Sequence, residues 1–409
     1  PASTSTKGDH FVGDYYVKFN HAYKAEVEEL IQKGVNKADA EKEAPIMKET
    51  QQMLLDWENG KPEVIELWKT MNQWVYEGFD STYKRIGSDF AKTYYESNTY
   101  LLGKDTIALG LKNNVFFKKD DDSIWIDLTK DGLDEKLVLR SDGTSVYITQ
   151  DIGLAQLKYD EFKMDQSIYV VGDEQNYHLK VLQLICKKLG LPYAEGIHHL
   201  SYGMVELPTG KMKSREGTVV DADDLIDEMV SIAGAHTQEL GKVKEFSESE
   251  LKELYDTIGL GALKFFLLRV DPKKKMIFNP EESIDFHGYT GPFIQYTHAR
   301  IKSVLKKNTV NPSHTDFREA LHKMEKELLI QCELFEQTLR QAGQSHDPSA
   351  IAMYLFQLAQ LFNSFYAALS ISNAETEEKK QLRLKIASLV ATILKSGMSM
   401  LGIKVPEKM

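Results

Sequence analysis

A chain of 409 residues is too long for one ordinary core and predicts two or three folding units. Its net charge of −11 confines any nucleic-acid contact to a local basic face, while 42% apolar and 27% charged residues describe an ordinary globular balance. The two cysteines, Cys186 and Cys332, lie far apart in apolar contexts, which excludes a disulfide framework or a zinc spacing. No apolar run reaches membrane-span length, and PASTSTKGDH at the start has no apolar signal core.

In chain order, FVGDYYVKF reads as either strand or helix, and residues 20–60 read as helices with charged faces. Pro62 opens a helix in which Val64, Leu67, Trp68, Met71, Trp74 and Val75 recur at helical spacing. The period changes near residue 85. VFFK (115–118) and SIWIDL (123–128) predict a hairpin, and KLVLR (136–140) with SVYIT (145–149) predicts a second strand pair. A helix is expected from about Asp151, a strand at 167–171, a helix at 175–189 and a single strand over 198–207. This alternation predicts a parallel α/β layer. After residue 222 the chain turns helical, with a helix pair expected over 246–270. From Gly291 onward helices are expected at 293–307, 316–341, 349–370 and 376–401. The third of these carries one stripe of Leu355, Leu358, Ala359, Phe362, Tyr366 and Leu369 and another of Leu361, Phe365 and Ala368, as a bundle requires.

Four segments can carry chemistry. Gly210-Lys211-Met212-Lys213-Ser214-Arg215-Glu216-Gly217 sets mobile lysines on a glycine-bounded loop, suited to neutralising a polyphosphate as pyrophosphate leaves; a solvated basic loop accounts for the composition about as well. Tyr147 and Asp151 stand four apart at a strand-to-helix switch, where a phenol and a carboxylate can hold a cationic group; an ordinary carboxylate in a helix first turn is the simpler account. Gln175 and His178 share a face at a helix start after Gly172, and a capping role competes equally. Phe293, Tyr296, Arg300, Lys302, Lys306 and Lys307 interleave rings with cations, as in single-strand RNA contacts; aromatic core with solvated lysines is the alternative.

Together these segments resemble arginyl-tRNA synthetases, a branch of the class I aminoacyl-tRNA synthetases. LRSDGTSVYITQDIG, VVGDEQNYHLKVL, GMVELPTGKMKSREGTVV, GPFIQYTHARIKSVL and LGIKVPEKM occur in family order, and the similarity includes KGDHFVGDYYVKF near the start. The resemblance implies a partial Rossmann-like α/β catalytic domain with a helical insertion, followed by an all-α anticodon-binding bundle. It divides the chain into a helical insertion (1–84), the second half of the nucleotide-binding domain (85–235), a stem-contact segment (236–290) and the anticodon-binding domain (291–409).

It also implies that Tyr147, Asp151 and Gln175 read the arginine guanidinium, with His178 in the same pocket. Gly172, Met204 and Val205 would face adenosine, and Lys211, Met212, Lys213 and Ser214 would form the second ATP signature. Phe293, Tyr296, Arg300 and Met409 would serve the anticodon. ATP with Mg²⁺, L-arginine and tRNA(Arg) are the implied partners, with no protein-bound zinc or other metal and no membrane. A cytoplasmic location is implied, with a monomer at full length.

Two departures stand out. The loop reads KMKSREG, so a lysine falls at Lys213 and a serine at the usual second-lysine place. No His-x-Gly-His occurs in these residues. The expectation is therefore a C-terminal part lacking the first ATP signature and the small N-terminal domain, and forming little arginyl-adenylate alone. A non-catalytic RNA-binding protein on the same scaffold is the alternative. A cysteine ligase would be expected to carry zinc ligands, which this chain does not group in sequence.

Overall fold

The computed structural model describes residues 1, 3–206, 208, 221–239, 246–312 and 317–409. Four helices come first: α1 (Gly8–Gln32), α2 (Lys37–Glu43), α3 (Pro45–Glu58) and α4 (Pro62–Ile86). The aromatic FVGDYYVKF run is thus helical. Its helix packs on α4 through two glycines, since a Cβ on Gly8 would stand 2.3 Å from the Trp74 carbonyl oxygen and one on Gly78 2.2 Å from an Asp9 carboxylate oxygen. Pro62 occupies the first turn of α4, and Gly87 ends the helix in the left-handed region at φ 74°. The apolar stripe of α4 is only partly covered, with Leu67 and Trp68 exposed.

The short helices α5 (Glu96–Thr99) and α6 (Lys104–Lys112) lead into an antiparallel meander of β1 (Phe117–Lys118), β2 (Ile124–Ile126) and β3 (Lys136–Leu139). The second predicted strand pair does not form. Only Leu139 bridges Ser145, and Tyr147 instead opens α7 (Tyr147–Phe162). The Thr149 hydroxyl decides this locally: it donates to the Val138 carbonyl and accepts from the Val146 amide, tying the helix start to β3. A β-prone run becomes a helix because its threonine caps rather than pairs.

Next come β4 (Ser167–Gly172), α8 (Asn176–Lys188) and β5 (Ile197–Tyr202). The two strands pair in parallel from Ser167 opposite Ile197 to Gly172 opposite Tyr202, and α8 supplies the crossover. Ile126, Leu128, Val138, Ile152, Leu182, Ile185 and Cys186 pack beneath. The single strand expected over 198–207 is broken at Gly203. There the backbone of Lys274 lies where a Cβ would sit, at 2.6 Å, and β6 (Val205–Glu206) pairs instead with the distant β7 (Met276–Ile277).

After α9 (Ala222–Glu239), the expected helix pair is one helix, α10 (Glu248–Leu268), opened by a Ser247–Glu250 capping box. Its internal glycines serve contact rather than a break: Gly259 meets the Val230 backbone and Gly261 meets Gln295. The short α11 (Pro280–Ser283) precedes the bundle of α12 (Gly291–Lys307), α13 (Lys323–Ser345), α14 (Ser349–Ala368) and α15 (Glu377–Met400). Leu355, Leu358, Ala359, Phe362 and Phe365 are buried as the two stripes require, but Tyr366 and Ala368 are exposed. Within this core, wholly buried Glu325 accepts from Lys379 Nζ at 2.8 Å and Arg383 Nε at 2.9 Å. No described helix is long and apolar enough to cross a membrane.

Candidate functional site

Asp151 lies one turn after Tyr147 on α7, so both side chains leave the same face of that helix. The next element, β4, ends at Gly172, and the chain turns at once into α8 with Gln175 just before its first residue and His178 in its first turn. This is the carboxyl end of the parallel strands, where α/β layers bind ligands. There the Asp151 Oδ2 meets the His178 Nε2 at 2.6 Å. Both side chains remain about one-third exposed, so a ligand can reach the pair. Tyr147 is 76% exposed and Gln175 is exposed, each without a side-chain partner among the described residues. The structure therefore joins Asp151 to His178 directly and leaves Tyr147 and Gln175 open at the same end.

Lys158 stands behind Asp151, two turns along α7, with its ammonium 4.0 Å from the Tyr169 ring centre. Burial holds its pKa below the ordinary lysine value, partly offset by the charge of Asp151. Nothing local in the sequence marks this cation, since its partner ring, Tyr169, sits on the next strand. Met204 is exposed, its carbonyl accepts from the Met276 amide at 3.1 Å, and Val205 lies in the β6–β7 ladder. Lys211, Met212, Lys213 and Ser214 lie outside the described residues.

In the bundle, Tyr296, Arg300, Lys302, Lys306, Lys307, Tyr366 and Met409 line an open cleft of about 1420 Å³. The Arg300 guanidinium sits 4.8 Å from the Tyr296 ring centre and 5.6 Å from that of Tyr366, and it donates to Asn363 Oδ1 at 2.6 Å. Tyr366, read from sequence as part of a core stripe, belongs to this cleft. Phe293 does not: its ring packs on Phe356 at 5.1 Å, and it lines a separate cavity with Gln331 and Leu361. Glu407 pairs with Lys302 at 2.8 Å and Lys395 at 3.2 Å, which pins the last residues beside α12.

Residues 13–279 match the family model described as tRNA synthetases class I (R), catalytic domain, and residues 294–409 match the DALR anticodon binding domain. The arginine–tRNA ligase of Flavobacterium psychrophilum is 55% identical over 410 residues, covering 100% of this chain and 68% of that protein. The chain belongs to the arginyl-tRNA synthetase family. The arginine–tRNA ligase of Bacteroides thetaiotaomicron is 52% identical over 413 residues, covering 100% of this chain and 69% of that relative. Among solved structures, the Thermus thermophilus arginyl-tRNA synthetase superposes with a TM-score of 0.76 at 23% identity, over 95% of this chain and 74% of that one. The Plasmodium falciparum arginyl-tRNA synthetase gives 0.75 at 19% identity, over 90% and 64%. At these identities the superpositions speak to fold alone. The synthetase fold thus comprises the α/β catalytic layer and the helical anticodon-binding bundle expected from the sequence.

Proposed function

We propose that in this arginine–tRNA ligase Asp151 reads the guanidinium of arginine. The single observation that carries this is the Asp151–His178 contact at the carboxyl end of β4 and β5: a half-exposed carboxylate is fixed on one side and open on the other. A planar guanidinium offers it two parallel donors, a charge-assisted geometry that a neutral side chain does not match. Exposed Tyr147 and Gln175 add polar groups at the same end.

The substrate carboxylate attacks the α-phosphorus of ATP, a new P–O bond forms, and the bond to pyrophosphate breaks. A hydroxyl of the tRNA 3′-terminal ribose then attacks the arginyl carbonyl and AMP leaves. ATP enters with Mg²⁺. Lys211 and Lys213, with Ser214, stabilise the charge that grows on the departing pyrophosphate, and Met212 belongs to the same ATP-binding signature. Gly172 and the backbone at Met204 and Val205 face the adenosine. Tyr296, Arg300 and Met409 grip the anticodon loop, supported by the cation–ring stack in their cleft. We assign the insertion to 1–84, the nucleotide-binding half to 85–235, the stem contact to 236–290 and the anticodon domain to 291–409.

The test is arginine-dependent exchange of pyrophosphate into ATP, with tRNA present, using the protein translated from its complete reading frame. Exchange with arginine and none with lysine or cysteine is the expected result. Exchange with another amino acid, or RNA binding without exchange, would replace this reading.

A further inference from the structure

The segment 402–409 carries no helix or strand, yet three side chains hold its backbone. Lys264 Nζ of α10 donates to the Gly402 carbonyl at 2.7 Å. Gln295 Nε2 of α12 donates to that of Lys404 at 2.8 Å, and His298 Nδ1 of the same helix to that of Pro406 at 2.9 Å. The three acceptors are alternate residues, and residues two apart share one side of an extended chain. The residues between them, Ile403 and Val405, pack into the bundle core. Glu407, Lys408 and Met409 follow at once and line the cleft of Tyr296 and Arg300.

Gln295 and His298 stand three apart on α12 and so share a face. Gly261 of α10 leaves the room this face needs, since a Cβ there would stand 2.4 Å from Gln295 Nε2. Both hydrogens of the Gln295 amide are used, on the Lys404 and Thr257 carbonyls, and its buried Oε1 has no partner among the described residues. A wholly buried glutamine with an idle oxygen is a poor core filler, because an apolar side chain of similar size would leave no acceptor unsatisfied. What the amide adds is a pair of directed bonds that tie 402–409 to α10. A carbonyl only accepts, so His298 carries its proton on Nδ1, and burial holds its pKa below the ordinary histidine value, which keeps the ring neutral. Glu407, pinned by Lys302 and Lys395, then closes the segment against α12.

We propose that Gln295 and His298 are positioning residues for tRNA binding, which hold the backbone of 402–409 and so set Met409 in the cleft with Tyr296 and Arg300. The proposal rests on the reading that this cleft receives the anticodon loop. It separates two kinds of residue on one helix. Tyr296 and Arg300 line the cleft and face the RNA, whereas Gln295 and His298 lie outside it and act only through the segment they hold. A Met409 already in place need not be ordered when tRNA arrives, and that saved entropy is the gain in affinity.

The experiment uses the protein from its complete reading frame. It measures the tRNA dissociation constant by fluorescence titration, native-state tryptic cleavage after Lys404, and the Michaelis constants for ATP and arginine in pyrophosphate exchange at saturating tRNA. Gln295→Met and His298→Leu are each expected to raise the tRNA dissociation constant about tenfold and to speed the cleavage about tenfold or more. Both Michaelis constants should stay within about twofold. His298→Asn, whose amide donates from the same place, should return tRNA binding to within about threefold of the parent protein. Combined with Met409→Ala, either loss should be smaller than it is alone, since the residue being placed is gone. If a variant frees the segment to trypsin and tRNA binding stays intact while Met409→Ala weakens it, or if His298→Asn binds no better than His298→Leu, the proposal is refuted. If Met409→Ala and Tyr296→Ala both leave tRNA binding unchanged, the reading of the cleft falls instead, and the proposal with it. Should His298→Leu fail to fold, Gln295→Met, which also removes the idle oxygen, carries the test by the same split.

Discussion

The carboxylate of Asp151 and the imidazole of His178, 27 positions apart in sequence, meet at 2.6 Å where α7 and α8 begin. The contact orients the carboxylate, so on the proposed reading arginine meets a preset acceptor. Asp151→Asn keeps the shape and removes the charge. It should cost on the order of a few kcal/mol of transition-state binding for arginine, since a guanidinium would lose its charged partner. Steady-state exchange kinetics should show kcat/KM for arginine reduced by about a hundredfold, with the ATP constant little changed. Near-normal arginine kinetics would remove Asp151 from the pocket.

On the proposed reading, the bundle cleft binds tRNA apart from the chemistry. Tyr296→Ala removes one of the two rings flanking Arg300 and a stacking surface. Loss of a base-stacking ring costs about 1–3 kcal/mol, so the tRNA dissociation constant should rise roughly tenfold or more while ATP affinity stays put. Tyr366→Ala should act in the same direction, and Phe293→Ala should instead lower the melting temperature. Fluorescence titration with tRNA and a thermal melt distinguish the two classes. A Tyr296 variant that binds tRNA normally contradicts the assignment of this cleft.

The buried Glu325 makes the bundle acid-sensitive. Burial would raise its carboxyl, but hydrogen bonds from Lys379, Arg383 and the His322 amide outweigh that and hold it below the usual glutamate value. A depressed folded pKa contributes stability above the unfolded value of about 4.3, lost as pH falls through the folded value. Glu325→Leu leaves buried Lys379 without its anion and Arg383 with only the exposed Glu375 at 2.8 Å, and should destabilise the protein by about 3–5 kcal/mol. Urea unfolding at neutral pH measures this. A change below about 1 kcal/mol would show that the triad contributes nothing net.

A second acid-sensitive contact joins the catalytic layer to the bundle. His198 of β5 stacks on His346, at the end of α13, with ring centres 4.5 Å apart and planes inclined by 24°. Burial holds the His198 pKa below its ordinary value, aided by His346, Lys273 and His199. The unfolded chain therefore takes up protons first, so this contact adds stability above about pH 6.5 and loses it as pH falls through the folded value. His346→Gln should flatten the dependence of melting temperature on pH between about 6.5 and 5. Parallel profiles for the two proteins would show that the stacked pair does not sense protons.

Much of this was legible from residue order. Pro62 opening α4, the alternation in Ile124–Ile126, the apolar strand ending at Gly172 and the doubled stripe of α14 are local signals, repeated every two or 3.6 residues, and each names its element directly. The five ordered motifs pointed to the family. Tertiary structure alone decided where local signals conflict or where partners are remote. Thr149 turns a β-prone run into the start of α7 because the carbonyl it reaches belongs to Val138, eleven residues back. Gly203 breaks a strand because Lys274 passes behind it, and Gly259 and Gly261 stay inside one helix because neighbours press against them. Tyr366 leaves its expected core stripe for the cleft, and half-buried Phe293 faces a different cavity from Tyr296, since the side of a bundle helix that meets solvent depends on where the other helices lie. Likewise Lys7 and Asp223, 216 positions apart and in contact at 2.5 Å, are unremarkable in sequence. Periodicity encodes which face of an element is apolar; which distant charge that element meets is set only when the faces are packed together.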